Sequence, residues 1–311
     1  MNTNSLAVLL LSNRLVPVDE KPFTAREVWS LFRRMPEIGN VLESSEQDLL
    51  TNFDLEPELV TRAKKLCDAA TAFIFELERL EESGIRVLSF LDEAFPTRVV
   101  DTLGQKSSAF LLIAGNTELL NLSGRGIVGS RDASPESVEV AQEAARDAVR
   151  RGEVVISGLA RGIDRVAMSA ALELDGSVIG VPTEGIRVVA KSNEVRNLVH
   201  EGKICLVSPY APDVRFSVGL AMGRNRFVYA LSESTLVVTS DLKKGGTWSG
   251  AEEALKGKFA QVDVWTGDGA TPGNMGLVDL GARPVNSRDD FWTKDFSPPP
   301  PANDSEQLKL F

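Results

Sequence analysis

The chain has 311 residues, 43% hydrophobic and 25% charged, with a formal net charge of −10. That supplies apolar material for one large domain and a smaller one. Two cysteines, Cys67 and Cys205, and a single histidine, His200, exclude a disulfide framework, most zinc sites and the histidine-based triads. No run reaches the roughly 20 apolar residues of a membrane-spanning helix, so no membrane partner is expected and a reducing cytoplasm is the expected compartment.

The acid is unevenly spread. Residues 1–82 hold 9 Lys and Arg against 15 Asp and Glu, and residues 286–311 hold 3 against 5. Residues 83–285 hold 22 against 24, so a local cationic mouth is compatible with an acidic protein.

Residues 1–82 read as short helices forming a small all-helical domain. The apolar run 6–11 lacks the basic flank and cleavage site of a leader and reads as a buried helix. Thr24, with Glu27 three residues on, is a capping-box signature. Residues 59–80 carry an apolar pattern through Ala69, Ala72, Phe73, Phe75, Leu77 and Leu80 that predicts one long buried helix. Residues 84–90 alternate as a strand and residues 110–116 form a second.

Two tandem strand–turn–helix units follow. Gly126-Ile127-Val128-Gly129-Ser130-Arg131 ends an apolar strand in a turn. Ser134 caps the next helix and Pro135 fits its first position, with Val138, Ala141, Ala145 and Val149 on one face. Val154-Val155-Ile156 is a second buried strand, turning at Ser157-Gly158-Leu159-Ala160-Arg161-Gly162-Ile163-Asp164 into another helix. Tandem units imply a parallel sheet with right-handed crossovers, whose ligands lie beyond the carboxyl ends of the strands. Both loops offer amides at a helix N-terminus and an arginine, Arg131 or Arg161, which is the make-up of a phosphate seat. Neither is a P-loop or a G-x-G-x-x-G turn, so no cofactor is expected.

Residues 177–182 read as a third core strand, Ser192 starts a helix running to Glu201, and residues 204–207 form the next strand. Arg215-Phe216-Ser217 and Met222-Gly223-Arg224-Asn225-Arg226-Phe227 follow, with core packing expected for Phe216 and Phe227 ahead of stacking on bases. After a strand at 236–239 comes a basic, glycine-rich turn, Lys243-Lys244-Gly245-Gly246-Thr247, opening a helix over 251–255. Residues 262–265 are a late strand. Residues 286–306 are polar and contain Pro298 to Pro301 in a row, a composition that predicts extended, unfolded chain. The end, Gln307-Leu308-Lys309-Leu310-Phe311, sets apolar anchors on a leash, which suits a partner's groove. The expected fold is α/β: an extended Rossmann-like parallel sheet with helices on both faces over 83–285, between the helical domain and a tail over 286–311.

At Gly129-Ser130-Arg131, at Ser157-Gly158 through Asp164 and at Arg224-Asn225-Arg226, the sequence resembles the DNA-processing protein A (DprA/Smf) family, over roughly residues 83–265. The resemblance implies a homodimer that binds single-stranded DNA and hands it to a RecA-type recombinase, in recombination, DNA protection or DNA uptake. It places Gly129, Ser130, Arg131, Ser157, Gly158, Arg161, Arg224, Asn225, Arg226, Lys243, Lys244, Gly245, Gly246 and Thr247 at the DNA pocket. Lys191 stands in for a basic contact in a stretch that departs from the family pattern. No winged helix follows the core, which marks a divergent branch. The last five residues resemble the bacterial sliding-clamp-binding motif, which implies that Gln307, Leu308, Leu310 and Phe311 contact the clamp.

Two other functions compete with non-enzymatic DNA binding. One is a nucleotide-binding sensor or anti-phage signalling protein on the same fold. The other is a nucleoside-phosphate phosphoribohydrolase, which needs a proline before Gly245-Gly246 and a glutamate where Gly250 stands. No general acid or nucleophile is evident at the mouth, and Asp164 reads as a structural partner of its own helix or of an arginine.

Overall fold

In the computed structural model, which describes residues 1–292, nine strands form one sheet. They are β1 (Ile85–Ser89), β2 (Phe110–Gly115), β3 (Gly124–Gly129), β4 (Val154–Ser157), β5 (Val178–Gly180), β6 (Ile204–Ser208), β7 (Ser234–Thr239), β8 (Gln261–Trp265) and β9 (Arg283–Val285). Their spatial order is β1-β2-β6-β5-β4-β3-β7-β8-β9. The β1–β2 and β2–β6 pairs are antiparallel and every other pair is parallel.

The apolar runs are continuous because both faces are covered, as parallel sheets require. Successive residues of a strand serve opposite layers: Val154 and Ile156 pack on one side and Val155 on the other. One layer holds the helices Pro135–Arg150, Ile163–Glu173 and Asn193–His200. The other holds Val218–Leu231, Gly245–Gly257 and Pro272–Asp279. The chain therefore winds outward from β3 through β4, β5 and β6 under one layer. It then returns to β7, on the other side of β3, and continues under the second layer. Strand order reverses between β3 and β7, the kind of switch point where open α/β sheets bind ligands.

The helices of residues 1–82 share their core with this sheet. Trp29 stacks on Phe90, ring centroids 3.9 Å apart, and Val8, Val28 and Ile38 belong to the same cluster as Leu111 and Val207. The capping box forms: Glu27 N–H donates to Thr24 Oγ1 at 3.3 Å, and Thr24 N–H donates to Glu27 Oε2 at 2.6 Å.

Two expectations are corrected, and one helix went unmarked in the sequence. The long helix is two, Pro57–Cys67 and Ala70–Glu82, because its halves serve different clusters. Val60, Ala63 and Leu66 face one layer, Phe73 and Leu80 the other, and Phe75 is exposed. The helix Val218–Leu231 has no amphipathic stripe to reveal it, since Phe227 through Leu231 are all buried. The tail begins later than residue 286: Phe291 and Trp292 are buried, and Trp292 Nε1 donates to the Ala144 carbonyl at 3.2 Å. The proline run and Gln307–Phe311 fall outside the described residues.

Candidate functional site

Three loops leave the carboxyl ends of β3, β4 and β7 and are tied into one rim. The Ile163 amide donates to the Ser130 carbonyl at 3.2 Å, joining the loop after β4 to the loop after β3. Gly162 makes this approach possible. Its φ is +89°, and a Cβ there would stand 2.3 Å from the Ser130 oxygen, so no other residue fits without moving backbone. Across the switch point, Thr247 Oγ1 donates to the Gly129 carbonyl at 3.0 Å. Asn225 Nδ2 donates to the Gly246 carbonyl at 2.8 Å, fixing the same turn to the Val218–Leu231 helix. The register between β3 and β7 shifts at Val128/Gly129, a bulge of the kind that re-aims a strand end.

Beneath the rim lies a buried ion pair. Arg224 is 4% exposed. Its Nη2 donates to the Gly158 carbonyl at 2.8 Å and its Nε to Thr183 Oγ1 at 3.2 Å, and it stands 3.8 Å from Asp164. Backbone groups of Ala160, Gly129 and Gly158 hydrogen-bond the Asp164 carboxylate. Burial pushes Asp164 up and Arg224 down from their ordinary values, and the charge of each opposes the shift of the other. Gly158 exists for this arginine: a Cβ there would lie 1.6 Å from Arg224 Nη1.

The contact set expected from sequence therefore divides. Arg224 is withdrawn from the surface and shapes the loops. Ser157 is fully buried and donates to the Ile127 carbonyl at 2.6 Å, bridging β4 to β3. Arg226 turns to Glu253 on the adjacent helix, 3.0 Å away. Asn225 and Thr247 are ties rather than open donors. Ser130 accepts the Asp132 amide at 3.3 Å. Arg161 is exposed at the rim but paired with Asp132 at 2.7 Å. Arg131, Lys243 and Lys244 are exposed and, among the described residues, have no carboxylate partner. Lys191 is also exposed, next to Ser192 at the far side of a cleft that opens from the rim.

That cleft has a volume of about 780 Å³ and is lined by Arg131, Gly158, Ala160, Arg161, Thr183 and Phe216, among others. Phe216 corrects an expectation: it is 46% exposed rather than packed, with the Arg131 guanidinium 5.4 Å from its ring centroid. Phe227 is buried as expected. Sequence reasoning missed Arg165, exposed on the cleft wall without a carboxylate partner among the described residues. No helical spacing signalled it, because Arg161 lies in the loop before the Ile163–Glu173 helix and only Arg165 lies on that helix.

A sequence model of the DNA recombination-mediator protein A family matches residues 86–295. The chain belongs to that family. This bears out the resemblance carried by the three glycine and arginine motifs. Relatives include DNA processing protein DprA of Bacillus subtilis (strain 168), 25% identical over 85% of this chain and 87% of its own. Protein Smf of Escherichia coli (strain K12) is 28% identical over 65% of this chain, which spans about half of that relative (54%). Among solved structures, DNA processing protein A of Streptococcus pneumoniae superposes with a TM-score of 0.62, covering 86% of this chain and 96% of its own at 23% identity. It shares the fold, an α/β sheet of Rossmann-like type. DNA processing protein A of Helicobacter pylori, a protein with a described single-stranded DNA binding mode, superposes with a TM-score of 0.55 at 26% identity, covering 67% and 93%.

Proposed function

We propose that this family member binds single-stranded DNA through its sugar–phosphate backbone, without reading sequence, and performs no chemistry on it. One observation carries the reading: Arg131, Lys243 and Lys244, which have no carboxylate partner among the described residues, stand on either side of the β3–β7 switch point, on loops cross-tied into a single rim. Amides and cations of this kind hold phosphates of any sequence. The H. pylori relative's DNA binding supports the same assignment.

Several features favour binding over catalysis. Asp164 is buried beneath the rim and engaged by Arg224. Burial pushes the thiols of Cys67 and Cys205 up to about 11 and about 12, too high for ready nucleophiles. Gly250 packs on Asn225, 3.0 Å from where its Cβ would lie, so the glutamate of a phosphoribohydrolase would displace the tie to Gly246.

The biological reading extends this binding. The protein acts in the cytoplasm as a homodimer, delivering the strand to a RecA-type recombinase in recombination, DNA protection or DNA uptake. Its final residues, Gln307, Leu308, Leu310 and Phe311, engage the polymerase sliding clamp. Among the described residues no helix is long and apolar enough to cross a membrane.

A nucleotide-binding sensor is the second reading, and the size of the cleft favours it, since about 780 Å³ suits a small-molecule ligand. A mobility-shift assay with single strands, duplex and mononucleotide competitors separates the two. Single-strand binding that weakens with salt is expected, and saturable mononucleotide binding without oligonucleotide affinity overturns it. Deleting residues 307–311 should abolish capture by the clamp and leave DNA binding intact; unchanged capture removes the clamp assignment.

A further inference from the structure

The guanidinium of Arg187 joins three elements that are far apart in the chain. Arg187 lies on the short helix Ile186–Ala190, its side chain 15% exposed. Its Nη2 donates to Glu76 Oε1 on the helix Ala70–Glu82, the last of the helical segment. Its Nε donates to Asp213 Oδ2 at 3.1 Å, on the chain that runs from β6 into the Val218–Leu231 helix. Arginine suits the place, since a planar fork can serve two carboxylates at once.

The backbone follows the side chain. The Arg187 amide donates to the Pro212 carbonyl at 3.1 Å and the Gly185 amide to the Val214 carbonyl at 2.8 Å. The approach is so close that a Cβ on Gly185 would stand 2.4 Å from the Pro212 oxygen. The Tyr210 hydroxyl donates to the Leu220 carbonyl at 2.8 Å, and Ser217 caps the same helix by accepting the Leu220 amide at 3.2 Å. Residues 210–220 are therefore braced as one unit, and Arg187 ties that unit to Glu76. Phe216 belongs to it, with the Arg131 guanidinium 5.4 Å from the ring centroid. A continuous series of contacts thus runs from Glu76 through Arg187 and Asp213 to Phe216 and Arg131.

We propose that Arg187 is a positioning residue: it fixes residues 210–217 against the helical segment and so sets where Arg131 stands at the rim. The inference rests on the rim's seating a DNA backbone. It gives the acidic helical segment a part in binding that its charge would oppose. Glu76 and Asp213 are both anionic, so on charge alone the removal of either should strengthen the hold on a polyanion. A positioning role predicts the opposite sign.

The test compares the native full chain with Glu76→Ala, Asp213→Ala and the double variant, using an unstructured oligonucleotide at one salt concentration. Each single variant should bind about fivefold more weakly. The double variant should be no weaker than the weaker single one, because links in series are lost together, whereas independent sites add. Without DNA, the amides of residues 214–221 should exchange hydrogen about fivefold faster in all three variants. The Asp213 side chain is 62% exposed, so its removal should leave the melting temperature in place and a loss of affinity there is not unfolding. Native or tighter binding by the single variants, with native exchange, overturns the positioning role and leaves the phosphate rim standing. Losses that add in the double variant overturn it too. A native chain with no affinity for the oligonucleotide overturns the rim instead; faster exchange in the variants then still supports the Arg187 link, and unchanged exchange overturns it.

Discussion

The two edges of the sheet use arginine in opposite ways. At the amino edge Arg125, 7% exposed, donates to both oxygens of Glu153 at 2.9 and 2.6 Å and to Ser234 Oγ at 3.0 Å, with Glu233 3.5 Å away. Nearby, Arg283 grips the buried Asp263 at 2.7 Å. At the carboxyl edge Arg131 has an aromatic ring for company and Lys243 and Lys244 face solvent. Satisfied cations hold strands together. Cations left without a carboxylate on a rigid rim are available to an anion from outside. The carboxyl edge contains both kinds, with Arg224 locked on Asp164 below and Arg131 above without a carboxylate partner among the described residues, so position in the layer rather than residue type separates structure from contact.

The largest effect should come from breaking satisfied pairs. Arg125→Ala strands Glu153, while Glu233 keeps Arg98 at 3.6 Å, and Arg224→Ala strands Asp164 in the core. Each should cost about 3–5 kcal/mol of unfolding free energy in a denaturant titration. Arg131→Ala should stay within about 0.5 kcal/mol in the same titration. A comparable loss for Arg131→Ala would erase the distinction between the edges.

Gly158→Ala comes next. Its Cβ would collide with the Arg224 guanidinium, and overpacking of this kind costs about 1–3 kcal/mol. Oligonucleotide affinity should fall as well, because the displaced arginine disturbs the rim. Wild-type stability together with wild-type binding would show that the arginine has another place to go.

Within the rim, Arg131→Ala should flatten the dependence of log affinity on log salt by about 0.7, the increment for one single-strand phosphate. Arg161→Ala should do less, since Asp132 already neutralises it. Equal slopes for the two variants would make the Asp132 pair irrelevant to binding.

The smallest effect lies in the helical segment, where a satisfied pair sits near the surface. The Arg62 side chain, foremost among the causes, and the Thr24 groups hold Glu27 down to about 2. A carboxyl depressed below its unfolded value contributes stability above about pH 4.5 that is lost as pH falls toward about 2. Glu27→Gln should therefore be less stable than the native chain at neutral pH, and the difference should vanish by about pH 2. A gap that persists there would point to packing rather than charge.

Much of this was legible in the chain. The strands announced themselves as short apolar runs, and Gly158 and Gly162 marked a turn into a helix; that they admit an arginine and a backbone oxygen emerges only in the fold. The burial of Arg224 was not legible, because the carboxylate and carbonyl that hold it come from a loop distant in sequence and meet it only once β4 and the Val218–Leu231 helix are packed. Phe216 was misjudged for a related reason: its exposure, with Arg131 beside its ring, depends on which elements pack around it once the chain is folded. The order of β7 beside β3, which creates the switch point, is a property of the whole sheet and of no single motif.

The central claim is that cations on a cross-tied rim, without carboxylate partners among the described residues, seat a phosphate backbone. It is tested most directly by a salt titration of binding to an unstructured oligonucleotide, native chain against Arg131→Ala/Lys243→Ala/Lys244→Ala. The account predicts a slope flatter by about 2 for three lost single-strand phosphate contacts, with the melting temperature unmoved. Identical slopes and affinities for the two proteins would contradict it.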